Sequence, residues 1–189
     1  MITAYTRPYD KIVDQLIVKC YLSLPSADSA ESGPLDALLD TGAMSTCIST
    51  EKAAAMGLTQ VGMTQVVGAN NEPFNAPMYV VRVRMGRRVI PLIPVIGLPM
   101  ENNRHDVIVG MDIISKGDLS ITNYEGKTVL SFREPSLERI DYVDELSVHK
   151  KCKRIHDLNM KAGRTDKCGC GSGRDYKNCH GRSPYLRKS

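Results

Sequence analysis

Tryptophan is absent from this chain, and phenylalanine occurs only twice in 189 residues. Val, Ile, Leu and Met must therefore fill the core, and an apolar share of 42% is enough to build one. An uninterrupted apolar run of about 18 residues is also missing, so no membrane-spanning helix is expected. The opening stretch MITAYTRPYDKIVDQL carries charges where a secretory signal needs an apolar segment. Cytoplasmic residence is the resulting expectation. The length suits one ordinary domain plus an appendage.

The six cysteines (20, 47, 152, 168, 170 and 179) could form three disulfides in a secreted protein. Three of them instead fall within one short stretch at metal-ligand spacing, which favours thiolates in a reducing compartment. The net charge of +4 is unevenly spread. Residues 1–146 carry 13 Lys and Arg against 18 Asp and Glu, whereas residues 147–189 carry 12 against 3. A mildly acidic body thus precedes a basic tail. Such a tail is either a solvated charged segment or a contact for nucleic acid, an anionic surface or an acidic partner.

Apolar alternation and turn residues predict mostly strands. QLIVKCYLSL at 15–24 alternates, PSADSAESGP at 25–34 is a polar turn region, and Leu35 to Leu39 is a strand feeding Asp40. Ser49 or Thr50 caps a short helix, TEKAAAMG, which Gly57 stops. Residues 60–67 and 78–85 read as strands joined by the turn-rich GANNEPFNAP. RVIPLIPVI at 88–96 holds two prolines, so it is expected to be an edge strand or a broken one. DVIVG at 106–110 is a short buried strand, MDIIS a helical turn, and residues 119–132 a hairpin turning near Tyr124–Gly126. From Leu137 the apolar positions Leu137, Ile140, Val143 and Leu146 are spaced by three, which predicts a polar, weakly amphipathic helix. The organisation expected is a first domain at 1–134, a helical linker at 135–164, a metal knuckle at 165–181 and a basic end at 182–189.

Asp40-Thr41-Gly42 is a weak signal alone, and a turn aspartate is its ordinary reading. The context strengthens it. An apolar strand leads in, Gly42 permits a sharp turn, and about seventy residues later comes Val107-Ile108-Val109-Gly110-Met111-Asp112. Across residues 10–133 this order resembles the retroviral-type aspartic proteases, the retropepsins, and their cellular relatives. The resemblance implies a mainly β fold, one half of a two-fold barrel with short helices, and a homodimeric aspartic endopeptidase cleaving peptide or protein substrates. It implies Asp40 as the catalytic carboxylate, Thr41 as a brace between paired loops, and Gly42 as the point where backbone approaches substrate. By position, Gly68, Ala69 and Asn70 would form the tip of a substrate-covering flap. Asp112 is expected to be structural. Ala43 stands where many members carry a Ser that can donate to the carboxylate, which implies work nearer neutral pH.

Cys168, Cys170, Cys179 and His180 make a three-thiolate, one-imidazole set suited to tetrahedral zinc. The string CGCGSGRDYKNCHG resembles the SEC-C motif, which is known from many bacterial proteins. Four protein ligands leave no open position, so that zinc would be structural. Tyr176, Arg174 and Lys177 are expected to form an exposed contact face for a protein partner. Nucleic acid is a weaker alternative, because one aromatic offers little for base stacking. The rival to the enzyme is a catalytically idle retropepsin fold that serves dimerisation while its basic zinc tail does the binding.

Overall fold

The computed structural model describes residues 2–26, 28–68, 72–100, 105–147, 150, 167–168 and 172–179. Two compact units divide the chain, Met1–Glu138 and Arg139–Ser189.

The first unit is mainly β. Its strands are β1 (Thr3–Pro8), β2 (Ile17–Ser23), β3 (Leu35–Leu39), β4 (Cys47–Ser49), β5 (Gly62–Val67), β6 (Pro73–Met85), β7 (Arg88–Leu98), β8 (Val107–Val109), β9 (Asp118–Thr122) and β10 (Val129–Glu134). Two short helices, α1 (Thr50–Ala55) and α2 (Met111–Ile114), interrupt them. Seven strands pair in the order β2-β3-β8-β4-β7-β6-β5, and β6 pairs again with β2. That second pairing closes six strands into a barrel and leaves β5 as an appended arm. Closure removes sheet edges that would otherwise invite other chains.

The core follows from alternation. Val18, Cys20 and Leu22 on β2, Leu35, Ala37 and Leu39 on β3, and Val81, Val83 and Met85 on β6 all point inward and are buried. Each large aliphatic side chain buried this way contributes about 1.5–3 kcal/mol. Branched aliphatics do the work that aromatics do in other cores. Burial pushes the Cys20 thiol up to about 12, aided by the nearby Asp106 and Asp36, so it behaves as a small apolar residue.

Three local expectations differ from the structure, and one strand was not expected at all. The strand β1 had no strong signal, since TAYTRP is short and largely exposed. It forms because β10 offers it a full antiparallel ladder, from Thr3 opposite Glu134 to Pro8 opposite Val129. Next, β6 starts at Pro73, so the turn-rich stretch after Val67 is shorter than expected. Pairing with β5, from Val67 opposite Pro73 to Gly62 opposite Met78, overrides the local turn preference. Third, β7 lies inside the sheet, between β4 and β6, rather than at an edge. Its pairing with β6 shifts register between Val81 and Val83, and Leu92 sits at φ 55 in the resulting bulge. The Ile96 amide donates to Thr46, so the nitrogen of Pro94, two residues earlier, faces the same side beyond the start of β4. The missing N–H at Pro94 therefore costs the β6–β7 ladder nothing. Finally, Ser49 precedes α1 but makes no side-chain cap, whereas Gly57 at φ +65 ends the helix as expected.

The unit reaches past β10. Asp118 accepts the Leu137 amide at 2.9 Å, the Ser136 hydroxyl, and Arg133 Nε at 3.0 Å. Asp118 is on β9, in the three-stranded sheet β1-β10-β9, so this one carboxylate holds the chain to that sheet through Leu137.

In the second unit residues 142–147 are helical. Asp141 starts this turn by accepting the Val143 and Asp144 amides, both at 3.1 Å. Further on, Lys167 bridges Asp175, and the Cys168 amide donates to Arg174 at 2.7 Å. Gly173 at φ +71 turns that loop, and a 3-10 turn at Tyr176–Asn178 brings Cys179 back. Cys168, Cys179 and Tyr176 form a small core of their own.

Candidate active site and metal knuckle

Asp40 sits where β3 ends beside β8. The two strands run parallel, with Leu39 opposite Val109, and the Asp40 amide donates to the Val109 carbonyl at 3.0 Å. The chain then turns sharply. The Gly42 amide donates to Asp40 Oδ1 at 2.8 Å, and the Ala43 amide to the Asp40 carbonyl at 3.3 Å. An amide aimed at one carboxylate oxygen fixes the orientation of the side chain without using the other oxygen. A Cβ on Gly42 would come within 3.2 Å of that same Oδ1, so the glycine keeps the carboxylate uncrowded. Asp40 is half-buried, and Thr41 and Gly42 are exposed.

A second layer holds this loop. Gly110 opens α2 against it, and a Cβ there would meet Ser45 backbone at 2.6 and 2.7 Å and the Ala43 carbonyl at 2.9 Å. Only glycine permits that approach. The Met111 amide then donates to Ala43 at 2.8 Å, and the Asp112 amide to Met44 at 3.1 Å. Asp112 in turn accepts the Thr46 hydroxyl at 2.7 Å and the Thr46 amide at 2.9 Å. The fully buried Thr46 Oγ1 also receives the Gly110 amide at 3.2 Å. Asp112 is thus engaged with the loop rather than with solvent. Thr46 was not singled out from sequence, because an isolated Thr carries no motif.

Cys47 follows Thr46, and burial, with smaller contributions from Asp112 and Asp40, pushes its thiol up to about 11. It stays protonated at neutral pH and is no nucleophile. Met44, by contrast, exposes 86% of its surface beside the Asp40 loop.

Of the flap positions, Gly68 follows β5 and is half-buried, while Ala69 and Asn70 lie outside the described residues. The hairpin arm itself is clear. Met63, Gln65 and Val67 face the same side as Pro77, Asn75 and Pro73. Further along β6 that side is the barrel core, at Val81, Val83 and Met85. On that side of the arm Val61, Met63 and Val67 are exposed, interleaved with the polar Gln65 and Asn75.

In the knuckle, Cys168 is buried and Cys179 half-buried against Tyr176, and the Ser172 hydroxyl lies 3.4 Å from the Cys179 sulfur. Cys170 and His180 lie outside the described residues. Among the described residues no three metal-ligating side chains converge. Tyr176 corrects the expectation of an exposed contact face. It is only 5% exposed, because a unit this short needs its aromatic as core. Arg174 and Lys177 remain on the surface.

A closed barrel with an Asp-Thr-Gly turn locked by a Gly-X-Asp helix start defines one half of an aspartic-protease fold. In agreement, residues 30–116 match the family model described as "gag-polyprotein putative aspartyl protease", and residues 164–182 match the SEC-C motif. Residues 30–116 are thus similar to the retropepsin-like aspartic protease domain and residues 164–182 to the SEC-C motif. Solved structures similar to it include a retropepsin-like aspartic protease from Rickettsia conorii, at 13% identity and TM-score 0.46, covering 71% of this chain and 96% of that one. Another is the protease of EIAV bound to an inhibitor, at 17% identity and TM-score 0.42, covering 57% and 90%. A third is the retroviral protease-like domain of Ddi1 from Leishmania major, at 17% identity and TM-score 0.37, covering 58% and 82%. No curated protein matches the chain significantly. No helix among the described residues is long and apolar enough to cross a membrane.

Proposed function

We propose that this protein is an aspartic endopeptidase, active as a homodimer, with Asp40 of each chain forming the catalytic pair. The observation that carries this reading is the Asp40 turn. Its carboxylate is oriented by the Gly42 amide, and its backbone is fixed to β8 through Val109. Hydrolysis by this chemistry needs two carboxyl groups. One takes a proton from the attacking water, and the other donates one to the carbonyl oxygen of the scissile bond. Two carboxyls held close share a single proton, because both cannot ionise easily. Each chain supplies one such aspartate, so an identical chain across a two-fold axis supplies the other. The exposure of Thr41 beside Asp40 suits a brace between two such loops. The exposed Val61, Met63 and Val67 of the β5–β6 arm suit a flap over apolar substrate side chains.

The SEC-C tail is read as a structural zinc module. Cys168, Cys170, Cys179 and His180 would hold the ion, and the packing of Cys168 and Cys179 around Tyr176 brings two of these ligands together. Bound zinc would supply folding free energy rather than chemistry. With Tyr176 in its core, the module offers Arg174 and Lys177 to an acidic protein partner and no ring for base stacking. It would recruit a partner or substrate to a cytoplasmic protease.

Cleavage of a broad peptide library by wild type and by Asp40→Asn tests the enzyme reading, with light scattering across dilution run in parallel. Cleavage should fall to background in the variant while the dimer persists. Equal cleavage by both proteins would refute the assignment, and undiminished specific activity in a monomer would refute the paired mechanism. A dimer without Asp40-dependent cleavage would instead support the idle binding module.

A further inference from the structure

The loop that carries Asp40 also carries the most exposed large apolar side chain among the described residues. Met44 shows 86% of its surface, against 55% for Met63 on the hairpin arm, and Met111 at the start of α2 shows less still. Met85 and Met100 are buried. The backbone around Met44 is held, whereas its side chain is not. The Met44 carbonyl accepts the Asp112 amide at 3.1 Å, and the Ala43 carbonyl before it accepts the Met111 amide at 2.8 Å. On the other side, Asp112 takes the hydroxyl and the amide of Thr46. The Ala43 amide closes the turn onto the Asp40 carbonyl at 3.3 Å, which keeps their Cα atoms within about 7 Å, and Met44 is the next residue. A thioether thus projects from a fixed stretch of chain close to Asp40.

The other sulfurs of the first unit give this thioether its significance. A thiol reacts with oxidants as the thiolate. Burial pushes the Cys20 thiol up to about 12 and the Cys47 thiol up to about 11, so both stay protonated and covered. A thioether has no proton to lose and needs only access. Oxidation within Met1–Glu138 therefore falls to methionine, in the order in which the methionines are exposed.

We propose that Met44 is a modification site: the sulfur of the first unit that a hydroperoxide oxidises first, to methionine sulfoxide, lowering activity at the Asp40 loop. The sulfur lone pair attacks the terminal peroxide oxygen and forms the S–O bond as the O–O bond breaks. Sulfur is oxidised by two electrons, the peroxide is reduced by two, and the proton of the transferred oxygen passes to the departing oxygen, which leaves as water or an alcohol. Sulfoxide reductases reverse the step. The product replaces a flexible apolar side chain with a polar one. Because the backbone is fixed on both sides of Met44, the change alters the surface of the loop and not the fold. The effect on cleavage rests on the protease reading, and the oxidation itself does not.

The test treats the full chain with graded hydrogen peroxide and reads every methionine by peptide-mapped mass spectrometry. Met44 should be converted first, then Met63 and Met111, with Met85 and Met100 last. Peptide cleavage is taken relative to each protein's own untreated rate. It should fall at least threefold as Met44 is converted, and recover with methionine sulfoxide reductase. In Met44→Leu, which keeps the volume without the sulfur, the same dose should leave the relative rate unchanged. Conversion of Met44 no faster than that of Met63 or Met85, or an equal loss of cleavage in Met44→Leu, would overturn the proposal. An untreated wild type that cleaves nothing would refute the protease reading instead, and the order of conversion would still decide the modification site.

Discussion

Asp112 holds Thr46 at two points, taking the hydroxyl on Oδ1 at 2.7 Å and the amide on Oδ2 at 2.9 Å. The same hydroxyl oxygen accepts the Gly110 amide, so three bonds meet at one buried threonine. The loop that carries Asp40 and the helix that backs it are joined there. Thr46→Val keeps the shape and deletes the hydroxyl, leaving the Gly110 amide without its acceptor. It should destabilise the fold by about 1–3 kcal/mol, read from denaturant unfolding. An unchanged midpoint would mean that water replaces the hydroxyl at no cost.

Gly110→Ala should be more damaging to activity than to secondary structure. The added methyl meets backbone atoms of Ser45 and Ala43, which cannot swing aside as a side chain can. Overpacking of this kind typically costs about 1–3 kcal/mol. It also pushes directly on the segment after Asp40. Circular dichroism should stay β-like while the catalytic rate falls at least tenfold. Full activity in the variant would show that the Asp40 loop tolerates displacement.

Stability should fall in acid through Asp118. The Leu137 amide, then the Ser136 hydroxyl and Arg133, hold this carboxyl well below the usual carboxylate range. A depressed native value means that the contribution is present above the unfolded value, near 4, and is lost as pH falls below it. The melting temperature should therefore drop between pH 5 and pH 2, and Asp118→Asn should flatten that slope. An identical pH dependence in the variant would contradict the assignment.

Zinc removal should act on the tail alone. Chelation should unfold residues 165–181 and leave the barrel melting transition in place. A chain cut after Glu138 should still fold and cleave short peptides, because the last anchored residues, Ser136 and Leu137, are retained. Elemental analysis should find one zinc per full-length chain. Collapse of the barrel on chelation would show that the two units are not separable.

How much of this was legible beforehand depends on where each residue's environment comes from. Leu35 to Gly42 read correctly because an apolar strand, an acidic residue and a glycine turn are local signals, and the structure keeps them local. The helix α1 and its stop at Gly57 read correctly for the same reason. By contrast, β1 depends on a partner more than a hundred residues away, at Thr3 opposite Glu134. The interior position of β7 depends on a bulge at Leu92 and on Pro94 facing a gap, which no window of sequence displays. Tyr176 looked like a contact residue because nothing in its neighbourhood shows that Cys168 and Cys179 fold over it.

The thirteen residues of β6 belong to two bodies at once. Its second half is a stave of the closed barrel through Tyr21, Leu22 and Ser23, and its first half is the spine of the hairpin arm through β5. No hinge loop separates them. Any bending of the arm would be that of a single beam clamped at one end, and its stiffness would be set where β6 leaves β7, at Met78 opposite Ile96. Substitutions there would change that stiffness without touching the Asp40 loop.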